Sequence, residues 1–210
     1  MWKCIETEKL INALSGNRCA HLREYIVNYT AEHEHLDSNK THWDTGEILK
    51  LGNISAQERL YAVMRRDLLP SMLLLDYARR CEAQAHFGGP AHKYWMQILL
   101  GEITLDALTD ACDAAYNYVS AAVMRYAANL YAQEMGEIYP DMSSIDMPAF
   151  LGGDGSPFFD YSPEVEATAE SVRATARGKA WNAMYSILID LLVDVGYIWE
   201  DNRDAYSIMD

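Results

Sequence analysis

Apolar residues recur at helical spacing along most of the chain. One such pattern covers about residues 2–15 and stops at Gly16-Asn17, and a second covers about 20–35. Spacings of three and four residues between apolar side chains are typical of amphipathic helices. The polar stretch His33–Gly46 is predicted to break the helical run. Because no long block alternates polar and apolar residues, the sequence predicts an all-α fold, with any sheet confined to a minor hairpin.

Residues that start and stop helices divide the middle of the chain. Ser55 and Glu58 have the spacing of a capping box, which predicts a helix start there. Pro70 cannot donate a backbone hydrogen bond and clashes with the preceding turn, so a break is expected beside it. Gly88-Gly89-Pro90 is predicted to end the following helix, and Gly101 the next.

A long amphipathic pattern runs from Thr104 to about Glu137. Its apolar positions alternate spacings of three and four residues, which predicts a seam facing another helix. These positions are Leu105, Leu108, Cys112, Ala115, Val119, Ala122 and Tyr126. On the opposite, polar stripe, Asp106, Asp110 and Asp113 are expected to be solvent-facing neighbours.

A final long helix is predicted to begin at Ser162-Pro163-Glu164, because Ser is a favoured N-cap and Pro a favoured first residue. It is expected to bury Met184, Leu188, Leu191 and Val195 and to break near Gly196. A Pro/Gly-rich acidic loop over residues 139–161 joins the two long helices. The aspartates of that loop are Asp141, Asp146, Asp154 and Asp160. Loops of this length are usually functional or disordered, so it is interpreted either as a docking segment or as a loop folded back over the core.

Composition favours one folded unit. The 210 residues are 50% apolar, which allows a sizeable core, and the prediction is a single all-α multi-helix bundle over 1–210. No apolar leader and no window of about 18 apolar residues occurs. The four cysteines lack metal-type spacing and are expected to be reduced and mostly buried. We therefore expect a cytoplasmic protein that does not enter a membrane.

Charge is distributed unequally. Residues 1–93 carry 12 acidic and 12 basic side chains, whereas 94–210 carry 19 and 5, which accounts for the net charge of −14. A direct nucleic-acid binder is disfavoured, since phosphate contacts need clustered Lys and Arg. An acidic half can steer a basic partner protein towards it. The alternative is that these acids only keep the helix faces soluble.

Candidate metal ligands concentrate at residues 32–42. Glu32 and His35 have the i, i+3 spacing of helical di-iron sites, and Glu82 and His86 partly repeat it at i, i+4. This set is the basis of an alternative, a metal-dependent helical hydrolase or oxidase. Polar residues near a helix end explain the same pattern without a metal. The main prediction includes no metal, no cofactor and no catalytic residue.

Later acids suggest another enzymatic alternative. Helical nucleotide pyrophosphatases hold magnesium with Glu-x-x-Glu on one helix and further acids on a second helix. Glu134 and Glu137 have that spacing, and Asp190 and Asp194 are available on the last helix. No Lys or Arg group lies close in sequence to bind phosphates, so solvent-facing acids remain the simpler interpretation.

Two segments carry a resemblance to a known group. The first segment is Asp76-Tyr77-Ala78-Arg79-Arg80-Cys81. The second is Tyr94-Trp95-Met96-Gln97-Ile98-Leu99-Leu100-Gly101-Glu102-Ile103-Thr104, and the Ala/Asp-rich helix follows it. Together they resemble helical immunity proteins of bacteria and phages. The resemblance covers about residues 76–128. It implies binding to a toxin rather than catalysis, and it brings no catalytic residue.

Together these features predict an acidic inhibitor that binds a basic partner, either a nuclease-like toxin or a nucleic-acid-handling defence complex. The predicted contact residues are Asp106, Asp110, Asp113, Asp141, Asp146, Asp154 and Asp160. A further alternative is an oligomerisation module, with the alanine-rich seam forming a homo-oligomer.

Overall fold

The computed structural model describes residues 3–14, 19–33, 41–139 and 163–206, without the side chains of residues 31–33. Of these described residues, 77% are helical, which confirms the all-α prediction. The elements are β1 Cys4–Glu6, α1 Thr7–Ala13, α2 Ala20–His33, β2 His42–Asp44, α3 Thr45–Leu49, α4 Ala56–Val63, α5 Ser71–Gln84, α6 Pro90–Leu99, α7 Leu105–Asp113, α8 Ala115–Ile138, α9 Pro163–Asp194 and a 3-10 helix Glu200–Tyr206.

Helices α5, α8 and α9 form the centre of the fold. α8 packs along α9, and α5 packs against both as well as against α6 and α7. Tyr116 at the start of α8 stacks on Trp181, with ring centroids 6.1 Å apart, whereas the Arg173 guanidinium lies over Tyr131 near the other end. Later positions on α8 therefore meet earlier positions on α9, so the two helices are antiparallel.

The core has two parts. The larger part joins every helix from α1 to α9 through residues such as Leu10, Leu60, Leu74 and Val119. A smaller cluster lies between the end of α8 and the start of α9. It consists of Tyr131, Met135, Ala169, Val172 and Ala176. The far ends of the two long helices thus pack mainly on each other.

The N-terminal region contains a two-stranded antiparallel sheet. β1 pairs with β2 in the register Cys4↔Asp44, Ile5↔Trp43 and Glu6↔His42, and it buries Ile5 and Trp43. The predicted first helix is therefore shorter than expected, since residues 4–6 are a strand and α1 begins at Thr7. Because α1 and α2 lie between the two strands in sequence, the sheet is not the hairpin that the sequence allowed.

A buried arginine links three helices. Arg59 of α4 donates from Nη1 to the Leu49 carbonyl at 2.8 Å and to the Tyr185 hydroxyl of α9 at 3.2 Å. The Tyr185 hydroxyl donates to the same carbonyl at 2.6 Å. Burial lowers the pKa of Arg59 and raises the pKa of Tyr185 to about 12. The guanidinium also lies 4.5 Å from the Tyr185 ring centroid, which fixes α4 against α9.

Several predicted boundaries are confirmed. Pro70 precedes α5, Gly101 follows α6 in the left-handed region at φ 70°, Pro163 opens α9, and Gly196 follows it at φ 74°. All four cysteines are free, and Cys19, Cys81 and Cys112 are buried. Gly16-Asn17 and Ser162 lie outside the described residues. None of the helices in the described ranges is long and apolar enough to cross a membrane.

Other boundaries differ from the prediction. α5 ends at Gln84 rather than at Gly88, because His86 takes the left-handed conformation at φ 51°. The long pattern 104–137 is two helices, since Ala114 ends α7 and starts α8 without a Gly or Pro to signal the break. Leu105 is the first residue of the seam predicted over 104–137, and Val195 is the last buried position predicted for the final helix. Both are exposed instead of buried.

The predicted capping box at the start of α4 is only half formed. Ser55 Oγ accepts from the Glu58 backbone N–H at 3.3 Å, but the Glu58 carboxylate turns towards another helix. There it accepts from the backbone N–H groups of His21 and Leu22 in α2, at 3.0 and 3.3 Å. A complete capping box, absent from the sequence prediction, joins Asp44 and Glu47 at α3.

Candidate functional site

The candidate site lies on α6, and Glu82 of α5 fixes the position of this helix. The Glu82 side chain is buried, and its two carboxylate oxygens accept from the backbone N–H groups of Ala91 and His92, at 2.9 and 2.8 Å. These N–H groups belong to the first turn of α6 and have no partner within the helix. A negative charge there is also favoured by the helix dipole. Glu82 of α5 therefore caps α6 across a tight turn.

The inner face of α6 packs on the body of the protein. Ala91 is fully buried, and the Tyr94 ring stacks on Tyr118 of α8 at 6.3 Å between centroids. The Arg79 guanidinium lies over Trp95 at 5.4 Å. Ile98 is partly buried beside the same core. One face of the helix is thus held by contacts from α5 and α8.

The outer face of α6 is also apolar, and none of the residues that the structure describes covers it. Met96, Leu99 and Leu100 are 42%, 64% and 64% exposed, and their spacing of three and four residues places them on one stripe. Leu105, the first residue of α7, is 78% exposed. Single exposed apolar residues are ordinary, whereas grouped ones mark an interaction surface. We call these four residues the apolar corner.

The turn between the two helices holds the apolar corner rigidly. The N–H of Glu102 donates to the Gln97 carbonyl at 2.9 Å and that of Gly101 to the Ile98 carbonyl at 3.0 Å, which is the Schellman arrangement. Thr104 Oγ then accepts from the Ala107 N–H at 3.2 Å and caps α7. Both helix ends are satisfied locally, so the backbone that carries the leucines does not need to be ordered on binding.

Acidic side chains border the apolar corner. Glu102, Asp106 and Asp110 are exposed, and none of them forms an ion pair with a described residue. Asp113, predicted to share their stripe, is instead held by Arg66, whose Nε and Nη2 donate to its two oxygens at 2.7 and 3.1 Å. Among the described residues, the unpaired charge of α7 therefore lies at Asp106, which follows Leu105 in sequence, and at Asp110, one turn further along the helix.

The remaining predicted contact residues cannot be placed on this surface. Asp141, Asp146, Asp154 and Asp160 lie outside the described residues, as does most of the loop 139–161. Within the described part of the acidic half, Glu164, Glu166 and Glu170 follow the start of α9 and are exposed. They belong to the paired ends of α8 and α9 rather than to the α6–α7 turn.

Of the predicted metal ligands, the structure describes the side chains of Glu82 and His86, and it does not bring them together. Glu82 is engaged by α6, burial raises its pKa, and His86 is exposed after the end of α5. His35 and the Glu32 side chain lie outside the description. The described residues contain no group of three or more His, Cys, Asp or Glu placed to hold a metal ion.

The acids of the pyrophosphatase alternative are separated from one another. Glu134 pairs with Lys179 at 3.3 Å, whereas Asp190 pairs with Arg203, and Asp194 with Arg80 at 2.9 Å. Asp190 lies 11 residues beyond Lys179 in α9, which is about 17 Å at 1.5 Å per residue. The two acidic pairs therefore do not form one magnesium site.

The apolar corner is not predicted by the sequence patterns above. The spacing of Leu105 places it in a buried seam, and residues 94–104 stand out only through their resemblance to immunity proteins. A usable signal was present, because the end of α6 and its C-cap have apolar residues at positions 94, 95, 96, 98, 99 and 100, more than one buried face requires.

Comparison of the chain with protein-family models, curated proteins and solved structures finds no match.

Proposed function

We propose that this chain is a cytoplasmic binding protein that inhibits a basic partner protein, and that the apolar corner is the centre of its contact surface. The observation that carries the proposal is the exposed stripe of Met96, Leu99 and Leu100 continued by Leu105. Interfaces commonly combine an apolar centre with a polar border that excludes water.

Charge indicates what the partner is. Three carboxylates that pair with no described residue lie at the α6–α7 turn and along α7, namely Glu102, Asp106 and Asp110. They belong to a half of the chain with 19 acidic and 5 basic residues. Complementary charge mainly raises the association rate and rejects partners of the same sign. A partner with a basic groove, such as a nuclease-like toxin or a nucleic-acid-handling complex, fits this surface. The acids would occupy the positions that phosphates take.

The proposed resemblance to immunity proteins is consistent with this surface. Its second segment, Tyr94–Thr104, includes Met96, Leu99, Leu100 and Glu102. Asp141, Asp146, Asp154 and Asp160 remain proposed as additional contacts. Asp113 is the weakest member of the proposed set, since its charge is already paired with Arg66.

A pair of matched double variants tests the proposal on a partner captured from the native cell and then purified. Leu99→Ser with Leu100→Ser removes the apolar centre, and Val27→Ser with Met72→Ser removes two residues that are 40% and 43% exposed in the neutral half. We expect the first pair to weaken binding at least about tenfold through faster dissociation, as hot-spot residues do. The second pair should bind like the unmodified chain. Equal affinity of the two folded variants would exclude the apolar corner as the contact surface.

A further inference from the structure

A second exposed apolar surface lies beyond the end of α9. Trp199 follows the turn after this helix, and its side chain is 77% exposed, because no described residue covers the indole ring. Val195, at the start of the same turn, is also exposed. Tryptophan is highly buried on average, and it is enriched among the residues that dominate binding between proteins. The open indole therefore marks a place where another molecule makes contact.

The backbone that carries Trp199 is anchored on both sides. The N–H of Ile198 donates to the Leu192 carbonyl at 3.1 Å, and the Ile198 side chain is buried. At the other end of the 3-10 helix, Tyr206 is buried and its ring centroid lies 4.9 Å from Lys50 Nζ. The indole is thus presented by a segment that is fixed at two points, so little backbone order has to be gained on binding.

The charge that follows Trp199 is negative. Arg203 is the only basic residue in 199–206, and two acids, one of them in α9, already pair with it. Asp201 and Asp204 are exposed and form no ion pair with a described residue. Their spacing of three residues places them on one face of a 3-10 helix, and a rise of about 2 Å per residue puts Asp201 only about 4 Å along the axis from Trp199. We call Trp199, Asp201 and Asp204 the Trp199 surface.

The same combination of groups is already occupied elsewhere in the protein. The Arg79 guanidinium lies 5.4 Å from the ring centroid of Trp95, and its Nε donates to the Asp76 carboxylate at 3.1 Å. One arginine can satisfy both contacts because its guanidinium is planar and carries its donors at the edge. The Trp199 surface offers an indole and carboxylates, but no described guanidinium stacks on its ring.

We propose that the Trp199 surface binds an arginine side chain of another protein, with the guanidinium stacked on the indole and paired with Asp201 or Asp204. The negative charge favours a basic segment and repels an acidic one. Lysine carries the same charge without the planar fork, so arginine binds more tightly. This inference deepens the proposed function and rests on it in one respect, namely that the arginine belongs to the same basic partner.

A tetra-arginine peptide with acetyl and amide ends is the probe, titrated into the full chain at constant ionic strength. The NMR signal of the Trp199 indole N–H, identified by its loss in Trp199→Leu, should shift and saturate. In Trp199→Leu, followed at the Asn202 backbone amide, binding should weaken about threefold, as expected when an exposed cation–π contact is lost. Tetralysine should bind several-fold more weakly than tetra-arginine. No saturable shift up to about 10 mM, or equal affinity for tetralysine, would overturn the proposal.

Two matched double variants test the carboxylates. Asp201→Asn with Asp204→Asn should weaken binding of tetra-arginine by about threefold or more, because two exposed ion pairs with the peptide are lost. Glu164→Gln with Glu166→Gln removes the same charge from exposed positions at the start of α9 and should bind normally. Equal weakening in the two folded variants would mean that the peptide responds to net charge alone, which would overturn the proposal.

Leu99→Ser with Leu100→Ser separates this inference from the proposed function. The variant should bind tetra-arginine like the unmodified chain, because these leucines belong to α6 and its C-cap rather than to the Trp199 surface. Weaker binding of the captured and purified partner to Trp199→Leu supports a shared partner, and unchanged binding contradicts it. A Trp199 signal that moves with protein concentration alone would assign the surface to a second copy of this chain and overturn the proposal.

Discussion

The Glu82 carboxylate accepts a hydrogen bond from the backbone N–H of Ala91 at 2.9 Å, so a side chain of α5 caps the helix that presents the apolar corner. The chain between them turns through Gly89, which lies directly beside the carboxylate. A Cβ atom at Gly89 would lie 2.5 Å from Glu82 Cδ and 2.6 Å from Phe87 Cε1. Both distances are shorter than carbon atoms tolerate. The position of α6 therefore depends on a glycine at residue 89.

Gly89→Ala should destabilise the protein by about 2 kcal/mol or more, because the added methyl group displaces the carboxylate or Phe87. Gly88→Ala is the matched control, since a Cβ there meets nothing within 4 Å. It should change the free energy of unfolding by less than about 0.5 kcal/mol or raise it slightly. Urea denaturation of both variants measures the difference. If Gly89→Ala and Gly88→Ala lose the same stability, Gly89 does not pack against Glu82 as closely as described.

The buried carboxyl of Glu82 also predicts a pH dependence. Burial raises its pKa above the ordinary value of 4.5, against the opposing effect of the hydrogen bonds from Ala91 and His92. A raised pKa means that the protonated form favours the folded state. Its contribution to stability is therefore complete below pH 4.5 and is lost as the pH rises through the folded-state pKa.

Glu82→Gln isolates this contribution, because glutamine does not titrate and most other groups are unchanged. The stability advantage of the unmodified protein over the variant should shrink as the pH rises from about 4.5 towards neutrality. Urea denaturation across that range measures it. An advantage that grows with pH would show that hydrogen bonds to the carboxylate outweigh its burial.

His86 and Gly101 occupy equivalent positions after α5 and α6, with φ of 51° and 70°. In both turns the next residue donates back to the helix, from Phe87 to the Glu82 carbonyl at 2.8 Å in the first. His86→Gly should raise stability by about 1 kcal/mol, because glycine adopts this conformation without steric cost. Gly101→Ala should lower it by a similar amount. Thermal unfolding of the pair measures both, and two changes of the same sign would contradict the assigned turns.

Sequence reasoning predicted the elements whose ends carry strong local chemistry. Pro70, Gly101, Pro163 and Gly196 each mark a boundary by restricting or permitting a backbone conformation, and each boundary is confirmed. The end of α5 was mispredicted because its left-handed residue is a histidine. His86 lies one turn after Glu82, whose carboxylate contacts the start of α6. Residues next to His86 in sequence do not reveal this tertiary contact.

The site was harder to predict because exposure is not encoded in periodicity. The spacing of Leu105 within the apolar seam correctly indicated a helix face, and Val119 and Ala122 on that face are fully buried. Leu105 itself lies at the α6–α7 turn, where none of the described elements covers it. Likewise, the spacing of Asp106, Asp110 and Asp113 did not reveal that Arg66, 47 residues away from Asp113, neutralises only the last of them.

Association kinetics with the captured and purified partner test the central claim most directly. Asp106→Lys with Asp110→Lys reverses the two acids of α7 that pair with no described residue, and Glu6→Lys with Glu24→Lys reverses two exposed acids of the neutral half. If acidic steering brings the partner to α7, the first variant should associate at least about tenfold more slowly and lose its salt dependence, since steering acts on the association rate and is screened within about 8 Å. The second variant should associate at the normal rate. Equal slowing of both folded variants would contradict the account and leave the C-terminal acids with a solubilising role.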